Sequence, residues 1–136
     1  MKRWMLDTNT CIALVNQEAN FLRVARHLDT VERAQVLVSA VTVGELAYGV
    51  ARSARRSAND GKLDRFLAEF EIAAFDEEAA RTYGDVRQEL ASRGQTIGPL
   101  DTMIAGHALA AGATVVTNNT REFRRVARLK VVDWLR

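Results

Sequence analysis

Short apolar runs, each followed by a longer stretch with helical spacing, restrict this chain more than any other feature. Met1, Trp4, Met5 and Leu6 read as a first strand, Val36 to Ala40 as a second and Ile72 to Phe75 as a third. Thr114-Val115-Val116-Thr117 and Lys130-Val131-Val132 supply a fourth and a fifth, the last at an edge. Between them the apolar residues recur as on one face of a helix: Thr10 to Val15; Phe21, Val24, Ala25 and Leu28 behind an Asn20 N-cap; Val43, Leu46, Ala47 and Val50; Leu63, Phe66, Leu67 and Phe70. Ala79 to Leu90 forms a long helix that Gly94 terminates. Leu100 to Ala111, closed by Gly112, is the most apolar helix and belongs at the centre, and a short basic helix starts near Thr120. Arg52 to Gly61 has no long apolar residue and reads as a helix end and surface loop. Strands alternating with helices make βαβ units, whose parallel sheet is covered on both faces. The expectation is one domain over residues 1–136, a three-layer α/β/α fold around a mostly parallel sheet of four to five strands.

A chain of 136 residues buries enough apolar surface to fold without metal or disulfide staples. Its one cysteine, Cys11, has no internal partner and suits a reducing compartment as a small buried apolar residue. The basic start Met1-Lys2-Arg3 is followed by too few apolar residues for a signal-peptide core, and no run reaches membrane-spanning length, so a cytoplasmic protein without membrane contact is expected. The net charge of +2 is too small to diagnose nucleic-acid binding, although Arg121 to Arg128 and Arg52 to Arg56 are locally basic.

Asp7 ends the first strand, and in open α/β sheets ligands bind outside the strand ends at a crossing point of the connectivity. Three other acids occupy comparable places: Glu45, Asp101 and Glu122. Each has a structural explanation. Thr42-Val43-Gly44-Glu45 has capping-box spacing, and Asp101 and Glu122 fall in first turns, where the helix dipole favours negative charge. Asp7 has the weakest such explanation, being desolvated beside buried strands without an evident partner. In a parallel sheet all four lie along one edge and can converge. Converging carboxylates raise one another's pKa values unless a cation joins them. All-oxygen ligation suits Mg²⁺, with Mn²⁺ as a substitute, and not zinc. Such a metal serves phosphoryl chemistry and removes the need for a protein nucleophile. His107 reads as a helix-packing residue, and no phosphate loop or nucleophile elbow is present. A phosphate-accepting domain with Asp7 as nucleophile would want a second acid where Leu6 or Asn9 stands, and its lysine at a strand end, whereas Lys130 starts one.

Met5-Leu6-Asp7-Thr8-Asn9, Val41 to Gly49, Ile97 to Ala105, Thr117-Asn118-Asn119-Thr120-Arg121-Glu122-Phe123 and Asp133-Trp134 follow in order. Together they resemble the PIN-domain ribonucleases, specifically the VapC toxins of bacterial type II toxin–antitoxin pairs, over almost the whole chain. The resemblance implies an Mg²⁺-dependent endoribonuclease that cuts single-stranded RNA loops, including the anticodon region of transfer RNA and the initiator species, and so inhibits translation. By position Asp7, Glu45 and Asp101 match the family's acidic triad. Asn119 stands where the family often has an acid, so either Asn119 as a neutral ligand or Glu122 as fourth carboxylate completes the site, with Glu122 preferred. Thr8, Asn9 and Thr117 are placed to orient ligands or waters. RNA phosphates are expected on Arg87, Arg121, Arg124 and Arg125, and base stacking is not expected, because the aromatics are few and mostly occupy core spacing. The resemblance also implies a homodimer, or a higher toxin–antitoxin assembly, and silencing by a VapB-type antitoxin that wraps the helices over Thr10 to Leu28 and Thr42 to Arg56. Operator DNA would be met only through the antitoxin. The contrasting expectation is the same fold without catalysis, a binding module acting through antitoxin or operator DNA.

Overall fold

The computed structural model describes residues 2–136; Met1, read above with the first strand, lies outside them. Five strands form one all-parallel sheet: β1 (Trp4–Leu6), β2 (Val36–Ser39), β3 (Glu71–Ala73), β4 (Thr114–Val116) and β5 (Val131–Val132), in the order β3-β2-β1-β4-β5. Seven α-helices accompany them among the described residues: α1 (Thr8–Val15), α2 (Phe21–Leu28), α3 (Ala40–Ala51), α4 (Arg56–Leu67), α5 (Glu77–Ser92), α6 (Pro99–Ala111) and α7 (Thr120–Phe123).

The register shows why this is a three-layer fold. Met5 sits level with Leu37 and Val115, and all three enter the core closed by Val86 and Leu90 of α5, Ile104, Ala105 and Ala108 of α6, and Phe123. One residue on, Leu6 is level with Val38 and Val116, and these face Cys11, Val24, Leu28, Leu46, Leu63 and Phe66 from α1 to α4. The period of two sends each row to the opposite face, and a helical layer covers each.

Chain order runs outward from β1 in both directions, with β2 and β3 on one side and β4 and β5 on the other. The connectivity therefore switches beside β1, and the residue after its last position is Asp7. Gly112 closes α6 in the left-handed region, with φ 65°, as its position predicts.

Several boundaries differ from the sequence reading. Helix α1 begins at Thr8 and not Thr10, because Asp7 caps it. The second strand stops at Ser39, whose hydroxyl accepts from Val41 N–H at 3.1 Å, so α3 starts at Ala40 and the Thr42–Glu45 capping box does not form. The third strand is Glu71–Ala73, displaced from Ile72–Phe75. Residues 56–61, read as loop, are helix: α4 anchors itself through buried Leu63 and Phe66, and its polar first turns reflect a mostly exposed position, not an irregular backbone. Asn20 precedes α2 without a side-chain capping bond.

Candidate acidic site

Asp7 is 2% exposed, and its Oδ1 accepts from Thr10 N–H at 2.9 Å. That bond is the partner the sequence did not reveal. Burial raises the Asp7 pKa above the usual carboxylate value; bonds from Thr117 and Thr10 oppose the rise and the charge of Glu45 adds to it. Thr10 also donates its hydroxyl to Val116 O at 3.0 Å, locking the first turn of α1 to β4 across the switch point.

Glu45 lies one turn inside α3, and Thr8 donates to its Oε1 at 2.6 Å. The Thr42 hydroxyl stands 3.2 Å from that of Thr8. Asp101 is in the first turn of α6, behind the Gly98–Pro99 entry, and Thr102 donates back to Gly98 O at 2.8 Å. Its pKa is pushed up to about 6, first by burial and then by the charges of Asp7, Glu45 and Glu122, against a hydrogen bond from Asn119. Asn119 also donates to Glu122 Oε2 at 3.1 Å, and its own N–H is held by Thr117 Oγ1 at 2.9 Å.

Asp101 therefore feels the charges of three other carboxylates from three other elements, and Asn119 bridges it to Glu122. Among the described residues, no three His, Cys, Asp or Glu side chains close into a ready-made metal cage. The donor set is nevertheless all oxygen, and its mutual repulsion is of the kind a divalent ion with retained waters relieves. Thr8 and Thr117 touch the acids as expected, whereas Asn9 is exposed.

The arginines divide. Arg87, Arg121 and Arg124 are exposed, Arg87 donating to Tyr83 Oη at 3.0 Å. Arg125 is half-buried and donates to Thr96 O at 3.0 Å, while Arg93 donates to Arg125 O at 2.6 Å. This clasp ties the end of α7 to the loop before α6, a structural task for Arg125 that the sequence did not signal.

His107 is buried, with Nδ1 2.8 Å from Ser39 Oγ and its ring edge-on to Phe75, consistent with packing. Cys11 is buried, and burial together with the charge of Asp7 pushes its thiol up, leaving it apolar in character.

A groove of about 960 Å³ opens directly from Thr8 and Glu45. Its walls are α1, α3, α4 and the start of α6, with Ile12, Val15, Leu46 and Leu63 among the apolar lining and Tyr48, Arg52 and Lys62 among the polar. Its walls include α4 and no residue of α2, so of the stretch expected to seat the antitoxin over Thr10 to Leu28 only the α1 part lines it. No helix among the described residues is long and apolar enough to cross a membrane.

A parallel sheet with acids gathered at its switch point defines an α/β domain with an all-oxygen acidic centre. The PIN-domain family model matches residues 4–129, and the chain belongs to that family, among its VapC members. It is 39% identical over 134 residues to the tRNA(fMet)-specific endonuclease VapC of Salmonella typhimurium, covering 98% of this chain and 99% of the relative. It is 38% identical to ribonuclease VapC2 of Rickettsia felis, covering 96% and 97% of the two chains. The crystal structure of DNA-bound VapBC from Salmonella typhimurium superposes with a TM-score of 0.89 at 38% identity, covering 98% of this chain and 99% of that one.

Proposed function

We infer that this chain is the toxin of a type II toxin–antitoxin pair, a metal-dependent endoribonuclease that hydrolyses phosphodiester bonds in transfer RNA, in the anticodon loop and including the initiator species. The observation that carries this is the gathering of Asp7, Glu45, Asp101 and Glu122 at the switch point of the sheet, joined through the Thr8–Glu45 and Asn119–Glu122 bonds. Kinship over nearly the whole chain with a tRNA(fMet)-specific endonuclease supports the substrate class.

In this reading Asp7, Glu45, Asp101 and the Asn119 amide oxygen hold Mg²⁺, or Mn²⁺ in its place, and Glu122 is the fourth carboxylate. A divalent ion held by these residues would supply Lewis-acid activation of water and charge stabilisation for phosphodiester hydrolysis. The chain's own residues set the stage. Thr8 fixes the Glu45 carboxylate through its 2.6 Å bond, and Thr117 steadies both Asp7 and Asn119. Glu122, held by Asn119 at 3.1 Å, is positioned to take a proton through water. Arg87, Arg121 and Arg124 present exposed cations to the RNA backbone and read no bases.

The antitoxin is a VapB-type protein whose segment seats apolar side chains on Ile12, Val15, Leu46 and Leu63 along the groove. A basic side chain from it neutralises the acids, as charge-assisted bonds allow. The toxin works as a homodimer or within a larger toxin–antitoxin assembly and meets operator DNA only through the antitoxin. The VapBC structure from Salmonella typhimurium is DNA-bound, which supports this arrangement.

The test is incubation of antitoxin-free protein with total RNA, with Mg²⁺ or with EDTA, followed by mapping of new 5′ ends. Metal-dependent cuts in tRNA that disappear in Asp7→Ala, with antitoxin binding retained, are expected. A chain that makes no metal-dependent cuts, and whose Asp7→Ala variant behaves as wild type, is a binding module and not a nuclease.

A further inference from the structure

Tyr48 departs from the core spacing assigned to the aromatic residues: it is 67% exposed, more than Leu22, Ile72 or Leu100. It stands three residues beyond Glu45 on α3, about 4.5 Å along the helix axis. That offset is comparable to one step of a stacked nucleic-acid strand, about 3.4 Å. The Arg52 guanidinium carbon lies 5.4 Å from the centroid of the Tyr48 ring. Lys62 faces the same groove from α4, and the groove is continuous with Thr8 and Glu45. An open aromatic face, a cation against it and a second cation across the groove lie one helical turn from the acids.

We propose that Tyr48, backed by Arg52, is a stacking platform for an unpaired base of the substrate RNA beside the scissile phosphate, with Arg52 and Lys62 receiving the flanking phosphates. The proposal rests on the nuclease reading and adds to it a residue that selects loops over duplex. Aromatic faces accept any unstacked base, whereas a base held in a duplex cannot reach them. Charge decides the occupant. An antitoxin segment that neutralises the acids brings basic side chains, which Arg52 and Lys62 repel, whereas an RNA backbone is attracted to both. The apolar residues Ile12, Val15, Leu46 and Leu63 line the same groove, so RNA and antitoxin compete for one opening.

The test uses an anticodon stem–loop RNA and antitoxin-free protein carrying Asp7→Asn, which prevents cutting while keeping a side chain that can cap α1. In that background Tyr48→Ala weakens RNA binding by about ten- to hundredfold, the range of a lost base–aromatic stack. Tyr48→Phe, which keeps the ring, leaves affinity essentially unchanged, and a duplex RNA of equal length binds both variants alike. The proposal is overturned if Tyr48→Ala binds the loop as well as its parent does. It is equally overturned if Tyr48→Phe loses as much, or if Tyr48→Ala loses only the antitoxin. Tight, ring-dependent loop binding by a wild-type chain that makes no cuts would instead remove the nuclease reading and leave the platform standing.

Discussion

Thr8 donates its hydroxyl to Glu45 Oε1 at 2.6 Å, tying the first turn of the helix after β1 to the helix after β2. The two residues are 37 positions apart in the chain, and this bond holds Glu45 against the residue that follows Asp7. A hydrogen bond to a charged group contributes about 1.5–3 kcal/mol. Thr8→Val, similar in shape but without the hydroxyl, should therefore lower kcat/KM on RNA by roughly ten- to a hundredfold, if the bond is fully used in the transition state. Thr8→Ser should retain most of the activity. Cleavage assays on the two variants check this, and equal losses in both would show that packing, not the bond, is what matters.

Asp101 has its pKa pushed up to about 6, and in the proposed reading it is a residue at which function costs stability. A folded-state pKa above the unfolded value means that the ionised group destabilises the fold. The penalty is complete above about pH 6 and fades as pH falls through that value toward the ordinary carboxylate range. In EDTA at pH 7.5, Asp101→Asn should be more stable than wild type by roughly 1–2 kcal/mol, after allowance for partial exposure, and inactive. At pH 4 the advantage should vanish. Thermal melts at both pH values read this out. Added Mg²⁺ should raise the wild-type Tm and leave that of the variant nearly unchanged.

His107 works in the opposite direction. Its pKa lies below the ordinary histidine value of 6.5 because burial outweighs the favourable charge of Asp76 and a bond to Ala74. A depressed histidine pKa leaves stability intact above 6.5 and erodes it as pH falls through that value, since the unfolded chain takes up the proton first. Urea midpoints measured in an Asp7→Asn, Asp101→Asn background, which removes both carboxylates whose pKa values are raised, should fall between pH 7.5 and pH 5. Replacing His107 by Gln should flatten that dependence.

Gly106 marks the tightest helix crossing among the glycines. A Cβ there would stand 2.6 Å from Tyr83 Cα and 2.7 Å from Tyr83 N, atoms of the α5 backbone that cannot rotate away. Gly106→Ala should separate α5 from α6 and destabilise the domain by about 1–3 kcal/mol or more. Because Asp101 rides on α6, RNA cleavage should fall beyond what the unfolded fraction explains. Chemical denaturation and activity on the same samples check both expectations.

The sheet was legible because its rows are so regular: Met5, Leu37 and Val115 on one face and Leu6, Val38 and Val116 on the other leave little choice of layer. Asp7 was legible as a strand end, and Asp101 and Glu122 as first-turn acids. Glu45 was flagged with a capping role it does not have, because Ser39 competes as cap and only the folded chain shows which hydroxyl wins. The start of α4 was hidden because its polar turns are anchored by Leu63 and Phe66 farther on, and local composition says nothing about anchoring. The Arg93–Arg125–Thr96 clasp depends on contacts 29 and 32 residues apart that no local pattern encodes. Tyr48 was hidden for a related reason: helical spacing fixes which residues share a face but not which face meets solvent.

Acids from separate elements are proposed to share a divalent ion, and Mn²⁺ titration followed by electron paramagnetic resonance reads this directly. The wild-type, antitoxin-free protein should show a saturable site that is lost in Asp7→Asn and equally in Asp101→Asn, although the two residues lie on opposite sides of the chain's midpoint. Undiminished Mn²⁺ binding in either variant would show that the two acids do not hold a common ion.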